Sequence, residues 1–205
     1  MSLCVVDHPL AQHYLTRLRD RTTEPHQFRQ CSKALATILL LEATREMGLR
    51  GASIETPLEP MTGRELAHGL VAIPILRAGL SMLDPVLDLF PHVSVGTIGL
   101  ERDHASAVAH RYHAKLPDLK GAFVLVLDPM LATGGSASQA VSLIKAGDPA
   151  RIMLVTVVAA PEGIGKMSRD HPGVEIVTAS VERGLNEHMY ILPGLGDYGD
   201  RLFGT

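Results

Sequence analysis

VLVLDPMLATGGSASQA, Val124 to Ala140, holds the decisive pattern. An aliphatic run ends in one acid, Asp128. Pro129, Met130, Leu131 and Ala132 follow, then Thr133, Gly134, Gly135 and Ser136, and then a helical pattern opens. This reads as a strand, a tight turn and a helix start. The first N–H groups of a helix have no partner inside it, and with the helix dipole they favour an anion. The glycines let the backbone close around that anion, and the Thr133 and Ser136 hydroxyls add donors. The stretch is therefore a candidate phosphate cradle. It lacks the GK[ST] of a Walker loop and the GxGxxG of a dinucleotide fingerprint. TGGS alone reads equally well as a capped glycine turn. Asp128 breaks the tie: an acid beside a phosphate is useful only where the ligand also carries hydroxyls or a bound cation, as a sugar phosphate does.

Working outward, five apolar runs read as strands buried on both faces, because they are continuous rather than alternating. They are LVAIPI (Leu70 to Ile75), VSVGTIGL (Val93 to Leu100), FVLVL (Phe123 to Leu127), IMLVTVVAA (Ile152 to Ala160) and VEIVTASV (Val174 to Val181). Helical patterns lie between several of them: AGLSMLDPVLDLF, SASQAVSLIKAG and PEGIGKMSRDH. The alternation predicts an α/β fold, a mainly parallel sheet with right-handed crossovers and flanking helices. Before the first strand, Glu24 to Gly48 reads as one long helix, with Thr23 as its cap and Gly48 as its stop. Glu101 to Lys120 breaks the rhythm. It is long and polar and reads as an arm over the site, mobile until ligand binds. Ligands in such folds bind beyond the carboxyl ends of the strands. There lie PILRAGL, the opening stretch and the C-terminal GLGDYGD.

The chain has 205 residues, 46% hydrophobic and 20% charged, enough for a substantial core. A net charge of -3 argues against a nucleic-acid surface, which needs a basic excess. Cys4 and Cys31 lack metal spacing and read as free thiols in a reducing compartment. His104, His110 and His113 cluster without cysteine or acidic partners at ligand spacing, so a solvated loop is the better reading. MSLCVVDHPL shows no signal peptide, and the longest apolar run is far below the roughly 18 residues of a bilayer span. A cytoplasmic protein without membrane contact is expected.

DPMLATGGSA resembles the phosphoribosyl diphosphate (PRPP) signature of the phosphoribosyltransferases, in the form seen in the uracil phosphoribosyltransferases, which carry a single acid before the loop. The resemblance extends along the chain. TEPHQFRQCSKALATILLLEATREM is similar to that family's N-terminal helix, SIETPLEPMTG to the segment after it, VAIPILRAGLSML to its pyrophosphate loop, and EHMYILPGLGDYGDRLFGT to its uracil site. It implies one phosphoribosyltransferase domain over 1–205 with a type I phosphoribosyltransferase core. The core would span about 65–180, a polar β-arm would project from it, and 9–49 with 181–205 would form a hood.

The resemblance implies transfer of the ribosyl phosphate of PRPP to N1 of uracil, giving UMP and pyrophosphate. Arg77 carries over as the pyrophosphate contact and Arg102 as a second PRPP contact. The loop Asp128, Pro129, Met130, Leu131, Ala132, Thr133, Gly134, Gly135 and Ser136 carries over as the PRPP cradle. Ile191, Gly196, Asp197 and Tyr198 line the base, and Asp197 also faces PRPP. Arg77 and Asp197 are the implied catalytic residues. Tyr112 and Lys115 fall where the family's arm is aromatic-rich. Mg2+ is implied as a cofactor carried by PRPP, and no protein metal ligand is assigned. Homodimers or higher homo-oligomers are implied, and GTP activates some relatives. No general base is visible: uracil N1 either binds as the anion or gives its proton to water. Relatives have alanine where this chain has Tyr198. Since Gly199 follows and the PGLGD-GDR frame is unchanged, the ring is expected to turn away from the base, with uracil specificity retained. Two other readings stay open: a PRPP-fold regulator that binds pyrimidine nucleotides or RNA, and an enzyme of shifted base preference.

Overall fold

The computed structural model describes residues 2–102 and 109–205, and only the backbone of 101, 102 and 109–112. In chain order, β1 (Leu3–Val5), α1 (Pro9–Arg19) and α2 (Pro25–Ala43) precede a hairpin of β2 (Leu49–Glu55) and β3 (Pro60–Leu66). β4 (Leu70–Leu76), a 3-10 turn (Ala78–Met82) and α3 (Leu83–Leu89) lead to β5 (Ser94–Val95), β6 (Thr97–Arg102) and β7 (Ala109–Lys115). β8 (Phe123–Leu127), β9 (Met130–Leu131), α4 (Gly135–Lys145), β10 (Arg151–Ala159) and α5 (Pro161–Asp170) follow. β11 (Glu175–Val181), β12 (Gly184–Leu185), β13 (Ile191–Leu192) and α6 (Tyr198–Phe203) complete the chain.

The main sheet runs β1-β11-β10-β8-β4-β6-β7, with β5 on β4 and β9 on β10. Every pairing in it is parallel except β6 with β7. This is the expected α/β class with a mainly parallel sheet. All five apolar runs form strands, and the reason they are continuous is visible on β8. Phe123, Leu125 and Leu127 pack into the core under α1 and α2, while Val124 and Val126 pack into the core under α4. From β4 the chain steps outward to β6, and from β8 it steps the other way to β10. The switch point between β4 and β8, where Pro74 pairs with Leu127, is where such a sheet opens a crevice.

Two expectations are corrected. The long helix ends at Ala43 and not Gly48, because Thr44 leaves helical geometry and its hydroxyl donates to the Leu40 carbonyl at 2.8 Å. Thr23 does not cap it. Glu24 holds the cap position with no side-chain bond, and the Thr23 hydroxyl donates to the Arg17 carbonyl at 2.7 Å. The segment after the helix is a hairpin whose turn is closed by Thr56, whose hydroxyl accepts from Glu59 N–H at 3.0 Å. The stem of the polar arm is the antiparallel β6–β7 pair, and the His113 ring nitrogen meets the Thr97 hydroxyl at 3.0 Å. Of the arm expected to be mobile, residues 103–108, His104 included, lie outside the described residues. Cys4 and Cys31 are free thiols, both half-buried.

Candidate active site

At the ends of β4 and β8 the structure opens a cavity of about 350 Å³, within the range of small-ligand pockets. Three separated stretches form its walls. The β4 end gives Leu76, Arg77 and Ala78. The opening stretch gives Asp128, Met130, Leu131, Ala132, Gly134 and Ser136. The C-terminal loop gives Ile191, Gly196, Asp197 and Tyr198. Pro129, Thr133 and Gly135 belong to the same turn but do not face the cavity. Arg102 ends β6, and its side chain lies outside the described residues, as does that of Tyr112. Lys115 ends β7, where it pairs with Thr97 away from the cavity wall.

The candidate cradle has the expected turn and helix start. Gly134 is the N-cap of α4 with φ +77°, a left-handed backbone that side chains resist; it has no side chain to cap the helix, and the Thr133 hydroxyl accepts from Gly135 N–H at 3.5 Å. The helix start borders the cavity at Gly134, Ser136 and Ala137, and its remaining first-turn N–H groups have no partner inside the helix. Gly134 has a second constraint, which the sequence does not show. A Cβ there would come within 3.0 Å of the Gly163 carbonyl in α5, so glycine lets α5 pack behind the loop. Gly79 likewise serves packing: a Cβ would stand 2.3 Å from the Leu127 carbonyl, where the Arg77 loop crosses the end of β8.

Asp128 is half-buried below the cradle, and its Oδ1 accepts from Met130 N–H at 3.4 Å. Arg77 is exposed at the mouth. It lies 3.6 Å from an Asp200 carboxylate oxygen and 5.8 Å above the Phe203 ring, both on α6. Asp197 is exposed and caps α6, accepting from Asp200 N–H at 2.9 Å. Asp128 and Asp197 thus bring two carboxylates to the cavity that also holds the cradle. That donor set suits a hard cation that arrives with most of its oxygen ligands already supplied. Among the described residues no group of three or more His, Cys, Asp or Glu could hold a metal by itself.

Tyr198 turns away from the cavity by packing into the core, not by swinging out over Gly199. It is 1% exposed, and its ring meets Phe28 of α2 edge-on with centroids 5.0 Å apart. Its hydroxyl donates to Ser32 Oγ at 2.6 Å. Burial pushes the phenol up to about 12, with hydrogen bonds to Ser32 and Ser81 opposing.

Several supporting groups escape a reading of the sequence. Met189 and Tyr190 join the cavity wall just before Ile191, and the EHMY that precedes ILPG was their only signal. Behind the cradle, His171 is buried with Nε2 at 2.9 Å from the Ser138 carbonyl, so Nε2 carries the hydrogen. Its Nδ1 has no partner among the described residues. Burial and Lys145 hold its pKa below the ordinary value, against the Ser138 carbonyl and Asp170. Behind the C-terminal loop lies buried Glu182, paired with Arg19. Burial pushes this carboxyl up, but bonds from Arg19, Ser180 and Gly194 N–H outweigh it and leave the pKa below the usual carboxylate value.

Fold and cavity together define an α/β protein with a glycine-rich helix start at the switch point of its sheet. A family profile described as uracil phosphoribosyltransferase matches residues 5–205. A uracil phosphoribosyltransferase of Roseiflexus sp. (strain RS-1) is 48% identical over 202 residues, 98% of this chain and 97% of its own. That of Thermus thermophilus is 46% identical over 207 residues, 100% of both chains. The solved structure of the AQ2163 protein from Aquifex aeolicus is 36% identical and superposes with a TM-score of 0.95, covering 99% of this chain and 98% of that one. The chain belongs to the uracil phosphoribosyltransferase family.

Proposed function

We propose that this chain transfers the 5-phosphoribosyl group of PRPP to N1 of uracil, giving UMP and pyrophosphate for pyrimidine salvage. The observation that carries the reading is the meeting of the Arg77 loop, the Asp128 to Ser136 cradle and the Ile191 to Tyr198 loop on one cavity. In the reaction the bond from ribose C1' to pyrophosphate oxygen breaks, a bond from C1' to uracil N1 forms, and the N1 proton leaves to solvent. Charge grows on the departing pyrophosphate, so donors aimed there lower the barrier most.

In this reading the α4 N-terminus with Ser136 holds the 5-phosphate, and Asp128 accepts from the ribose hydroxyls. Arg77 moves from its exposed contact with Asp200 onto the pyrophosphate, with Arg102 as a second cation. Backbone groups around Ile191 and Gly196 read the O2, N3–H and O4 pattern of uracil, and Asp197 stands between base and PRPP. Asp128 and Asp197 are the carboxylates that would meet a Mg2+ carried by PRPP, which would supply neutralisation of its phosphates. Residues 65–180 form the core of one domain, with 9–49 and 181–205 as its hood.

Assembly as a homodimer or higher homo-oligomer is part of the proposal. It is supported by Leu49, Ile54, Leu58, Met61 and Leu66, all exposed on the β2–β3 hairpin, and is tested by light scattering. GTP activation is tested by rates with and without GTP. A cytoplasmic location fits the same reading, and among the described residues no helix is long and apolar enough to cross a membrane. Pyrophosphate release from PRPP and Mg2+ with a panel of bases tests the whole. Release with uracil and not with cytosine supports it, whereas release with purines alone, or with no base, overturns it.

A further inference from the structure

The residues that face the base are backbone groups of a short loop, so something must fix how that loop lies. Gly194, two residues before Gly196, has both of its hydrogen-bonding groups taken by a single ion pair. Its N–H donates to Glu182 Oε2 at 3.0 Å, and its carbonyl accepts from Arg19 Nη1 at 3.0 Å. Arg19 closes the ring onto Glu182 itself, at 2.8 Å to Oε2 and 2.5 Å to Oε1. The next carbonyl, that of Leu195, accepts from Arg201 Nη1 at 2.8 Å. Arg201 also donates to the carbonyls of Leu18 and, at 2.6 Å, Asp20. The loop is thus tied twice to the last turn of α1, whose residues are far from it in the chain and absent from the cavity wall.

The Glu182 side chain is 1% exposed and that of Arg19 28%, so the carboxylate is the buried member of the pair. A buried ion pair is a poor way to gain stability, because its desolvation offsets its attraction and an apolar pair of similar volume often does as well. What such a pair supplies is direction: a charged fork and a carboxylate hold a peptide in one orientation. We propose that Arg19 and Glu182 are positioning residues for the base, setting the Gly194 peptide so that Gly196 and Asp197 present their backbone groups to uracil. The proposal rests on the reading of the C-terminal loop as the uracil site. It requires the pair to act more strongly on uracil than on PRPP, which is held mainly by the cradle and Arg77 and meets this loop only through Asp197.

The test is steady-state kinetics of native protein, Arg19→Lys, Glu182→Gln and the neutral double variant Arg19→Met with Glu182→Gln, with Tm recorded for each. Arg19→Lys keeps the charge but not the fork. The double variant keeps an acceptor for the Gly194 N–H, leaves no unpaired buried charge, and carries the test where a single variant is too unstable to assay. The expected result is a KM for uracil raised by about tenfold or more in each variant. KM for PRPP should stay within about threefold, and the double variant should recover Tm without recovering uracil KM. A uracil KM that is unchanged, that rises together with the PRPP KM, or that returns to native with Tm reduces the pair to packing and overturns the inference. Native protein inactive on uracil would instead sink the proposed function, which separates the two failures.

Discussion

Truncating Tyr198 should cost stability heavily and specificity little. The ring is 1% exposed and pairs edge-on with Phe28, and its hydroxyl is the partner of Ser32, itself 1% exposed. Tyr198→Ala removes an aromatic ring from a packed core, which costs about 3–5 kcal/mol. At about 2–4 °C per kcal/mol for a chain of this size, Tm falls by roughly 6–20 °C. Tyr198→Phe keeps the ring and the aromatic pair but leaves Ser32 buried without its partner, a loss of about 1–3 kcal/mol. The hydroxyl's contribution also has a pH signature. Because burial raises the phenol to about 12, the neutral form is favoured in the fold. The stabilisation is complete below the ordinary tyrosine value near 10 and is lost as pH rises towards 12. Below its melting range, Tyr198→Ala should change kcat/KM for uracil by less than about tenfold, a barrier change under roughly 1.4 kcal/mol. Thermal melts of the three proteins and rates with uracil and cytosine are the assay. A melting point unchanged in Tyr198→Ala, or uracil accepted only by that variant, would show that the ring lies in the base pocket and refute this reasoning.

Other perturbations have equally definite outcomes. Arg77→Ala should lose roughly 2–4 kcal/mol of transition-state stabilisation, about 30- to 1,000-fold in kcat/KM, and a change under threefold removes Arg77 from the site. Gly134→Val should weaken PRPP binding in calorimetry and also lower Tm, since its Cβ meets α5 and its φ is +77°; undiminished PRPP affinity would count against the cradle. His171 has a folded pKa below its unfolded value, so it contributes stability above about pH 6.5 that is lost as pH falls, by at most about 1.4 kcal/mol per unit. The groups facing it are Lys145, Lys166, Asp170 and Ser138. Melts between about pH 8 and 5 should show this component in native protein and not in His171→Gln, and equal slopes would refute it.

What the sequence revealed follows the range of the interactions concerned. The five strands were legible because a strand buried on both faces is apolar at every position, as Phe123–Leu127 is. The cradle was legible because its chemistry is local: turn, glycines and helix start lie within ten residues of one another. The β2–β3 hairpin was not, because nearly all of its residues are exposed and its two strands carry no alternation, though Thr56 and Pro57 marked a turn. The helix stop was misplaced because Thr44 ends it through its own hydroxyl, four residues before the glycine. The Arg19–Glu182 pair joins residues 163 apart, and no local pattern links them. Glycine roles were half legible: Gly134 was assigned to the ligand, while the structure adds a neighbour, Gly163, against which only glycine fits.

The central claim is that one cavity joins C1' of PRPP to N1 of uracil. The most direct measurement is NMR of native protein with Mg2+, PRPP labelled with 13C at C1' and uracil labelled with 15N at N1. The account predicts a one-bond coupling between C1' and N1 in a product that comigrates with UMP, together with an equal amount of inorganic pyrophosphate. No coupled product, or C1' joined to a different nitrogen or a different base, would contradict it.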